Sequence, residues 1–237
     1  MKKFIVSIDQ GTTSSRVVLF DTKGNIKFIS QYEFKQYFPR NGWVEHNPNE
    51  IWSTTLKALK QVIKKAKSLK GHILTIGITN QRETTILWNK KTGKPVYNAI
   101  VWQDRRTQEY CKSLKNKNYE NTFRKKTGLF IDPYFSATKI KWILDNVKVS
   151  KKLVKTNNLL FGTVDTFLIW KLTKGKQHLT EATNASRTML FNINNNKWDN
   201  EILQKLKIPR SILPEVKNSA DNFGKTDKRV TGKEIPI

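Results

Sequence analysis

Two short runs of β-branched and aromatic residues near the start of the chain, Lys3–Ile8 (KFIVSI) and Val17–Phe20 (VVLF), bracket the polar stretch SIDQGTTSSR. Both runs are too short for a packed helix and are rich in the residue types that suit a pleated, half-buried surface. A third run, Asn25–Phe34 (NIKFISQYEF), follows the turn Asp-Thr-Lys-Gly-Asn at 21–25. Three strands joined by tight turns predict an antiparallel meander, with DQGTTSSR at the tip of its first hairpin.

The period then changes. Asn47-Pro48 reads as a cap with proline at the first helical position, and Ile51, Leu56, Leu59, Val62 and Ile63 recur at helical spacing to about Lys67. ILTIGIT (73–79), apolar on both faces, reads as a buried strand, with TTILW (84–88) and AIVW (99–102) as further strands either side of a Lys-Thr-Gly-Lys turn. Helical spacing returns at Arg105–Leu114, Ser136–Asp145 and Val164–Leu172, the last with Gly175 just beyond it as a stop. Trp198-Asp199 opens a further helix to Leu206 that Pro209 closes. A meander followed by strands mixed with helices, without an internal repeat, is the pattern of an α/β domain with a mixed sheet. The final KRVTGKEIPI ends on an apolar run that reads as a strand just starting, so the expectation is a chain truncated at its C-terminal edge, an incomplete copy of something longer.

Composition excludes several classes. Hydrophobic residues make up 37% of the 237, enough for a globular core. The net charge of +25 invites a nucleic-acid partner, but only nine of the 44 basic residues are Arg and the lysines are dispersed along the chain. A Lys, Asn and Ile excess of this kind is what AT-rich codon usage produces, which argues against nucleic acid as the primary partner and leaves a positive field that steers anionic ligands. Cys111 stands alone and the three histidines form no metal-spacing pattern, which fits a reducing cytoplasm. No apolar stretch approaches the roughly 20 residues needed to cross a bilayer.

The opening hairpin matches neither G-x-x-x-x-G-K-[ST] nor G-x-G-x-x-G. It offers Gly11, which lets a ligand approach the backbone, and Thr12, Thr13, Ser14 and Ser15 as hydroxyl and N–H donors. Arg16 adds a charge-assisted partner for phosphate oxygens, and Asp9 beside them makes sense if Mg²⁺ or its water shell intervenes. An ordinary hairpin in which Asp and Ser/Thr bond their own backbone uses the same residues, so the stretch by itself leaves both readings open. Asn80-Gln81-Arg82-Glu83 follows the strand ILTIGIT, at the strand end where α/β proteins place ligand contacts. Arg82 and Glu83 could grip polyol hydroxyls, or form a local ion pair on a solvated loop. Trp102 and Tyr134 close apolar runs beside polar residues, as in carbohydrate sites, although core packing is the commoner fate of such rings.

Seven blocks taken together, DQGTTSSR, GWVEHNP, GITNQRETT, NAIVWQDRRT, GLFIDPYFSATKIKWILDN, GTVDTFLIWKLT and TNASRTMLFN, resemble the glycerol kinases of the FGGY carbohydrate kinase family. The resemblance runs collinearly over essentially the whole chain, and the pairing of NQRETT with NAIVWQDRRT favours glycerol over a pentose. It implies an actin-like, ribonuclease H-like ATPase fold and the N-terminal, glycerol-binding lobe of a two-lobe kinase over residues 1–237, with ATP and Mg²⁺ in the cleft. By motif, Thr12, Thr13, Ser14 and Arg16 would face the ATP phosphates, and Asp9 would sit by Mg²⁺ through water. Arg82, Glu83 and Tyr134 would hold glycerol, with Trp102 packed on its carbon chain. The catalytic base is expected in a Gly-Asp-Gln motif that does not occur in this sequence. The alternatives are a non-catalytic lobe with residual glycerol or phosphate affinity, or another sugar kinase of the family. A homo-oligomer is compatible with the resemblance.

Overall fold

The computed structural model describes all 237 residues. The meander is formed by β1 (Lys2–Gln10), β2 (Ser14–Asp21) and β3 (Ile26–Glu33). Both pairings are antiparallel, with Ile8 opposite Val17 and Val18 opposite Ile29. Phe4, Val6 and Ile8 of β1 alternate with more exposed residues, as in a sheet packed on one side, whereas β2 buries Val17, Val18 and Leu19 in succession. The strands outrun the apolar runs that announce them. Asp9 and Gln10 continue β1 and Ser14–Arg16 begin β2, since ladder hydrogen bonding does not depend on side-chain polarity and Ser15 finds Thr54 and Thr55 as interior partners. The tip therefore shrinks to Gly11–Thr13.

The short strands β4 (Gln36–Tyr37) and β5 (Glu45–His46) pair antiparallel and lead into α1 (Pro48–Ser68). Asn47 caps this helix by accepting the Asn49 N–H, Pro48 occupies the first turn, and Ile51, Ala58, Leu59, Val62 and Ile63 are buried along one face. The chain then enters β6 (Gly71–Asn80), which lies parallel to β1 and completes the order β3-β2-β1-β6. The sheet is mixed, as expected. Full burial of β6 is not observed: Ile73 and Ile76 are buried, but Leu74, Gly77 and Thr79 are exposed. The sheet buries one face against α1 and is open on the other, where Ile5 and Ile29 are also exposed.

The next strands are shorter than their apolar runs, β7 (Ile86–Asn89) and β8 (Ala99–Ile100), so Trp102 lies in a turn rather than a strand. β8 joins the small sheet β4-β5-β8. A helical layer follows: α2 (Gln108–Asn116), α3 (Glu120–Thr127), α4 (Ser136–Asn146) and α5 (Lys148–Lys155). Periodicity misses α3 and α5 because each spans eight residues and buries only two side chains. Then come β9 (Leu159–Gly162), antiparallel to β7, and α6 (Val164–Leu172), whose bounds match the sequence pattern.

The remainder consists of β10 (Leu179–Glu181), α7 (Ala182–Ser186), β11 (Phe191–Asn192), β12 (Lys197–Trp198), α8 (Asn200–Leu206), β13 (Glu215–Lys217) and α9 (Lys228–Thr231). Trp198 belongs to β12, and it is Asp199 that opens α8 by accepting the Ile202 N–H. The helix stops at left-handed Lys207, before Pro209. At the chain end the Ile76 N–H donates to the Pro236 carbonyl at 2.9 Å, so IPI lies along the edge of β6. One core lies between the sheet, α1 and α6 and includes Trp88; a second gathers the helical layer around Phe123, Ile140, Ile143, Phe191 and Ile202. No helix is long and apolar enough to cross a membrane.

Candidate active site

At the hairpin tip the Gly11 N–H donates to the Ser14 carbonyl at 2.9 Å, closing a tight turn. The N–H groups of Thr12 and Thr13 have no acceptor within the chain, and Thr13 is exposed. Two free donors on a tight turn form the kind of concavity that binds an anion. The neighbouring hydroxyls are not equivalent. Thr12 accepts the indole N–H of Trp102 at 3.1 Å, and Ser14 accepts from the Gln31 amide at 3.0 Å, leaving Thr13 as the unengaged one.

Asp9 and Arg16 are cross-strand partners in the register of β1 and β2, and Gln31 stands opposite Arg16 on β3. The Arg16 guanidinium donates through Nε to Gln31 Oε1 at 2.9 Å and lies 3.9 Å from Asp9, both charged side chains being nearly half exposed. This row presents one cation and one carboxylate beside the tip. No group of three or more His, Cys, Asp or Glu side chains is arranged to hold a metal ion, so a divalent cation here would depend on water and on the ligand's own oxygens for most of its coordination.

A pocket of about 400 Å³ opens next to the tip and is lined by Thr12, Thr79, Asn80, Gln81, Arg82, Glu83, Trp102, Tyr134 and Arg187. All four residues expected to hold a polyol are among them, although they come from three separate stretches of chain. The Trp102 and Tyr134 rings are tilted at 57° with centroids 5.5 Å apart, giving two apolar surfaces. Arg82 is exposed and has no carboxylate within 4 Å, so its donors are available. The local Arg82–Glu83 ion pair does not form. Glu83 is buried and instead accepts from Arg187 Nε at 2.6 Å, which engages one carboxylate oxygen and leaves the other without a partner in the chain.

The tip and the pocket are tied together below the surface. The Gln81 N–H donates to the Gln10 carbonyl at 2.7 Å, and its side-chain amide reaches Gln10 Oε1 and the Gly11 carbonyl. His46, fully buried, receives a longer contact from Gln81 at Nδ1 and bonds Gln36 through Nε2. Gln36 in turn donates to the Thr12 carbonyl at 3.1 Å. Burial pulls the His46 pKa down to about 4, so the ring is neutral and can accept at one nitrogen while donating at the other. The turn carrying Trp102 is fixed by Arg106, whose fully buried guanidinium pairs with Glu45 at 2.7 Å and Asp104 at 2.8 Å and lies 3.7 Å from the Trp43 ring centroid. Asp104 and Arg106 of the QDRR block are thus scaffold.

The model of the FGGY family of carbohydrate kinases, N-terminal domain, matches residues 4–236. The chain belongs to this family. It is 56% identical over all 237 residues to a glycerol kinase of Petrotoga mobilis, covering 48% of that protein, and 56% identical over 235 residues to a glycerol kinase of Borrelia duttonii, covering 47%. Among solved structures, Plasmodium falciparum glycerol kinase with ADP superposes with a TM-score of 0.95 at 39% identity, over 100% of this chain and 47% of that one. The chain therefore spans about half the length of the relatives it matches. The mixed sheet and its covering helices are the N-terminal lobe of an FGGY kinase, of the actin-like ATPase fold.

Within this FGGY lobe, sequence reasoning did not pick out Arg187, and it placed Asn80 and Gln81 at the ligand-contacting strand end without giving them a role. All three lie in blocks that carry the resemblance, TNASRTMLFN and GITNQRETT, but Arg187 is more than 100 residues from Glu83 and only the folded chain joins them. Asn80 also reaches across, donating to Asn184 Oδ1 at 3.0 Å.

Proposed function

We propose that this chain forms the polyol-binding wall and phosphate-facing hairpin of an ATP-dependent glycerol kinase. The supporting observation is the convergence of Arg82, Glu83, Trp102 and Tyr134 on one pocket whose rim includes Thr12 of the hairpin. In this reading the Arg82 donors and the free Glu83 oxygen hold glycerol hydroxyls, the Tyr134 hydroxyl adds a third contact, and Trp102 packs on the carbon chain. The free N–H groups and hydroxyl at Thr12–Thr13, the hydroxyl of Ser14, and Arg16 face the transferring phosphate. Asp9 would hold Mg²⁺ by way of water, and the cation would supply charge neutralisation at the phosphate oxygens.

The reaction is in-line attack of a glycerol hydroxyl on the γ-phosphorus, breaking the bond to the β,γ-bridging oxygen and giving sn-glycerol 3-phosphate and ADP. The hydroxyl proton goes to a base outside these 237 residues, which contain no Gly-Asp-Gln. Positioning and electrostatics supply most of the acceleration in phosphoryl transfer, so one wall alone should not turn over. A cytoplasmic location accords with the single, buried thiol, Cys111.

A coupled ADP-release assay on the 237-residue chain is expected to be silent with glycerol and MgATP. Glycerol is expected to shift the indole N–H resonance of Trp102, and Arg82→Ala to abolish that shift. An unchanged response in Arg82→Ala would remove Arg82 from the site, and no response in the unmodified chain would remove the polyol.

A further inference from the structure

Lys139 lies on the first turn of α4 with its side chain wholly out of solvent and no carboxylate within 4 Å. Its ammonium donates to the backbone carbonyl of Tyr134 at 2.5 Å and approaches that of Glu83 at 3.5 Å. The Glu83 carbonyl also accepts from Ser136 Oγ at 3.0 Å. Glu83 has φ +60°, a left-handed conformation that a glutamate holds only when its surroundings over-determine it. One buried cation thus bridges the backbones of two pocket residues from different segments, the loop after β6 and the loop before α4. An unpaired charge in the interior is unfavourable, and an apolar side chain of similar length would fill the same space. Filling the core does not call for a lysine here.

We propose that Lys139 is a positioning residue for the polyol: its ammonium holds Glu83 and Tyr134 in register, so polyol affinity depends on its charge and phosphate affinity does not. The inference rests on the polyol reading of the pocket. The titratable groups facing Lys139 are Glu83 after β6, Asp104 after β8, Asp132 before α4 and Cys111 on α2. Glu83 is itself paired with Arg187, and burial pushes the Cys111 thiol up to about 11 and keeps it neutral. Burial outweighs the three carboxylates and brings the Lys139 pKa down to about 7, so its charge changes near neutrality.

The test uses the ¹⁵N-labelled 237-residue chain, following the Trp102 indole resonance during titration with glycerol and, separately, with MgATP at about pH 6 and about pH 8.5. The glycerol dissociation constant is expected to rise about tenfold between the two, while that of MgATP changes little. Lys139→Met and Lys139→Gln are each expected to bind glycerol weakly and without pH dependence, with the MgATP response retained. The proposal is overturned by a pH-independent glycerol response in the unmodified chain, by wild-type glycerol affinity in a folded variant, or by equal weakening of both ligands. The polyol reading itself fails on a different result, no glycerol response in the unmodified chain at either pH, and the inference falls with it. If neither variant folds, the pH dependence of the unmodified chain decides.

Discussion

The Glu83 carboxylate takes its hydrogen bond from Arg187 Nε at 2.6 Å, although Arg82 stands next to it in sequence. The consequence is a division of labour between two arginines. Arg187 neutralises a buried carboxylate, and the exposed Arg82 keeps its donors unpaired.

Arg187→Met should therefore leave the Glu83 charge buried without a partner. Because Arg187 is one-third exposed and water can reach the gap, the expected loss of stability is on the order of 2 kcal/mol, below that of a fully buried pair. Urea unfolding measures it. Arg82→Ala, at an exposed side chain without a carboxylate partner, should change stability by less than about 0.5 kcal/mol while removing glycerol binding. Equal destabilisation by the two variants would contradict the division.

Gly93 has φ +67°, and a Cβ placed there would come within 2.6 Å of Trp170 Cζ3. Gly93→Ala should lower stability by about 1–3 kcal/mol through both the backbone conformation and the clash. The turn at Gly93 is no part of the pocket, so the Trp102 response to glycerol should persist in the folded fraction. Loss of that response with an unchanged urea midpoint would contradict this assignment.

The pH dependence has a definite sign. Burial holds His46 neutral down to about 4, whereas the unfolded chain takes up the proton near 6.5. Through that window the unfolded state binds more protons, so stability falls as pH falls, by at most on the order of 3 kcal/mol from this residue. His178, held down by burial in the same way, adds to the trend. Asp165 opposes it: burial raises its carboxyl to about 6, so the native state keeps a proton that the unfolded state has released. Urea unfolding at pH values from 7 down to 4 should show net acid destabilisation, with a shallower slope in His46→Gln. An unchanged slope would mean that His46 is protonated in the native state.

The sheet was legible because β1, β2 and β3 carry short β-branched and aromatic runs separated by turn residues, and α1 because Asn47-Pro48 and five spaced apolar residues announce it. The ends of β1 and β2 were not, since Asp9 and Ser14–Arg16 are polar and enter the ladder through backbone bonds that any side chain permits. Chemistry singled out Arg82, Glu83, Trp102 and Tyr134 but left structural readings open, the family resemblance alone implied their joint role, and the local ion pair offered the wrong partner for Glu83. That partner, like Lys139 beneath the pocket, depends on contacts spanning 104 and 56 positions, and no local pattern encodes such distances. His46 illustrates the same point: it belongs to no spacing pattern in the sequence, and only its contacts with Gln36 and Gln81 connect it to the hairpin tip.

The most direct test of the central claim, that one pocket beside the hairpin tip holds the polyol, is isotope-filtered NMR of the 237-residue chain with ¹³C-labelled glycerol. Intermolecular NOEs from glycerol protons to the ring protons of both Trp102 and Tyr134 are the expected result, and they should vanish in Arg82→Ala. Saturable glycerol binding with NOEs to a different set of residues, and none to either ring, would contradict it.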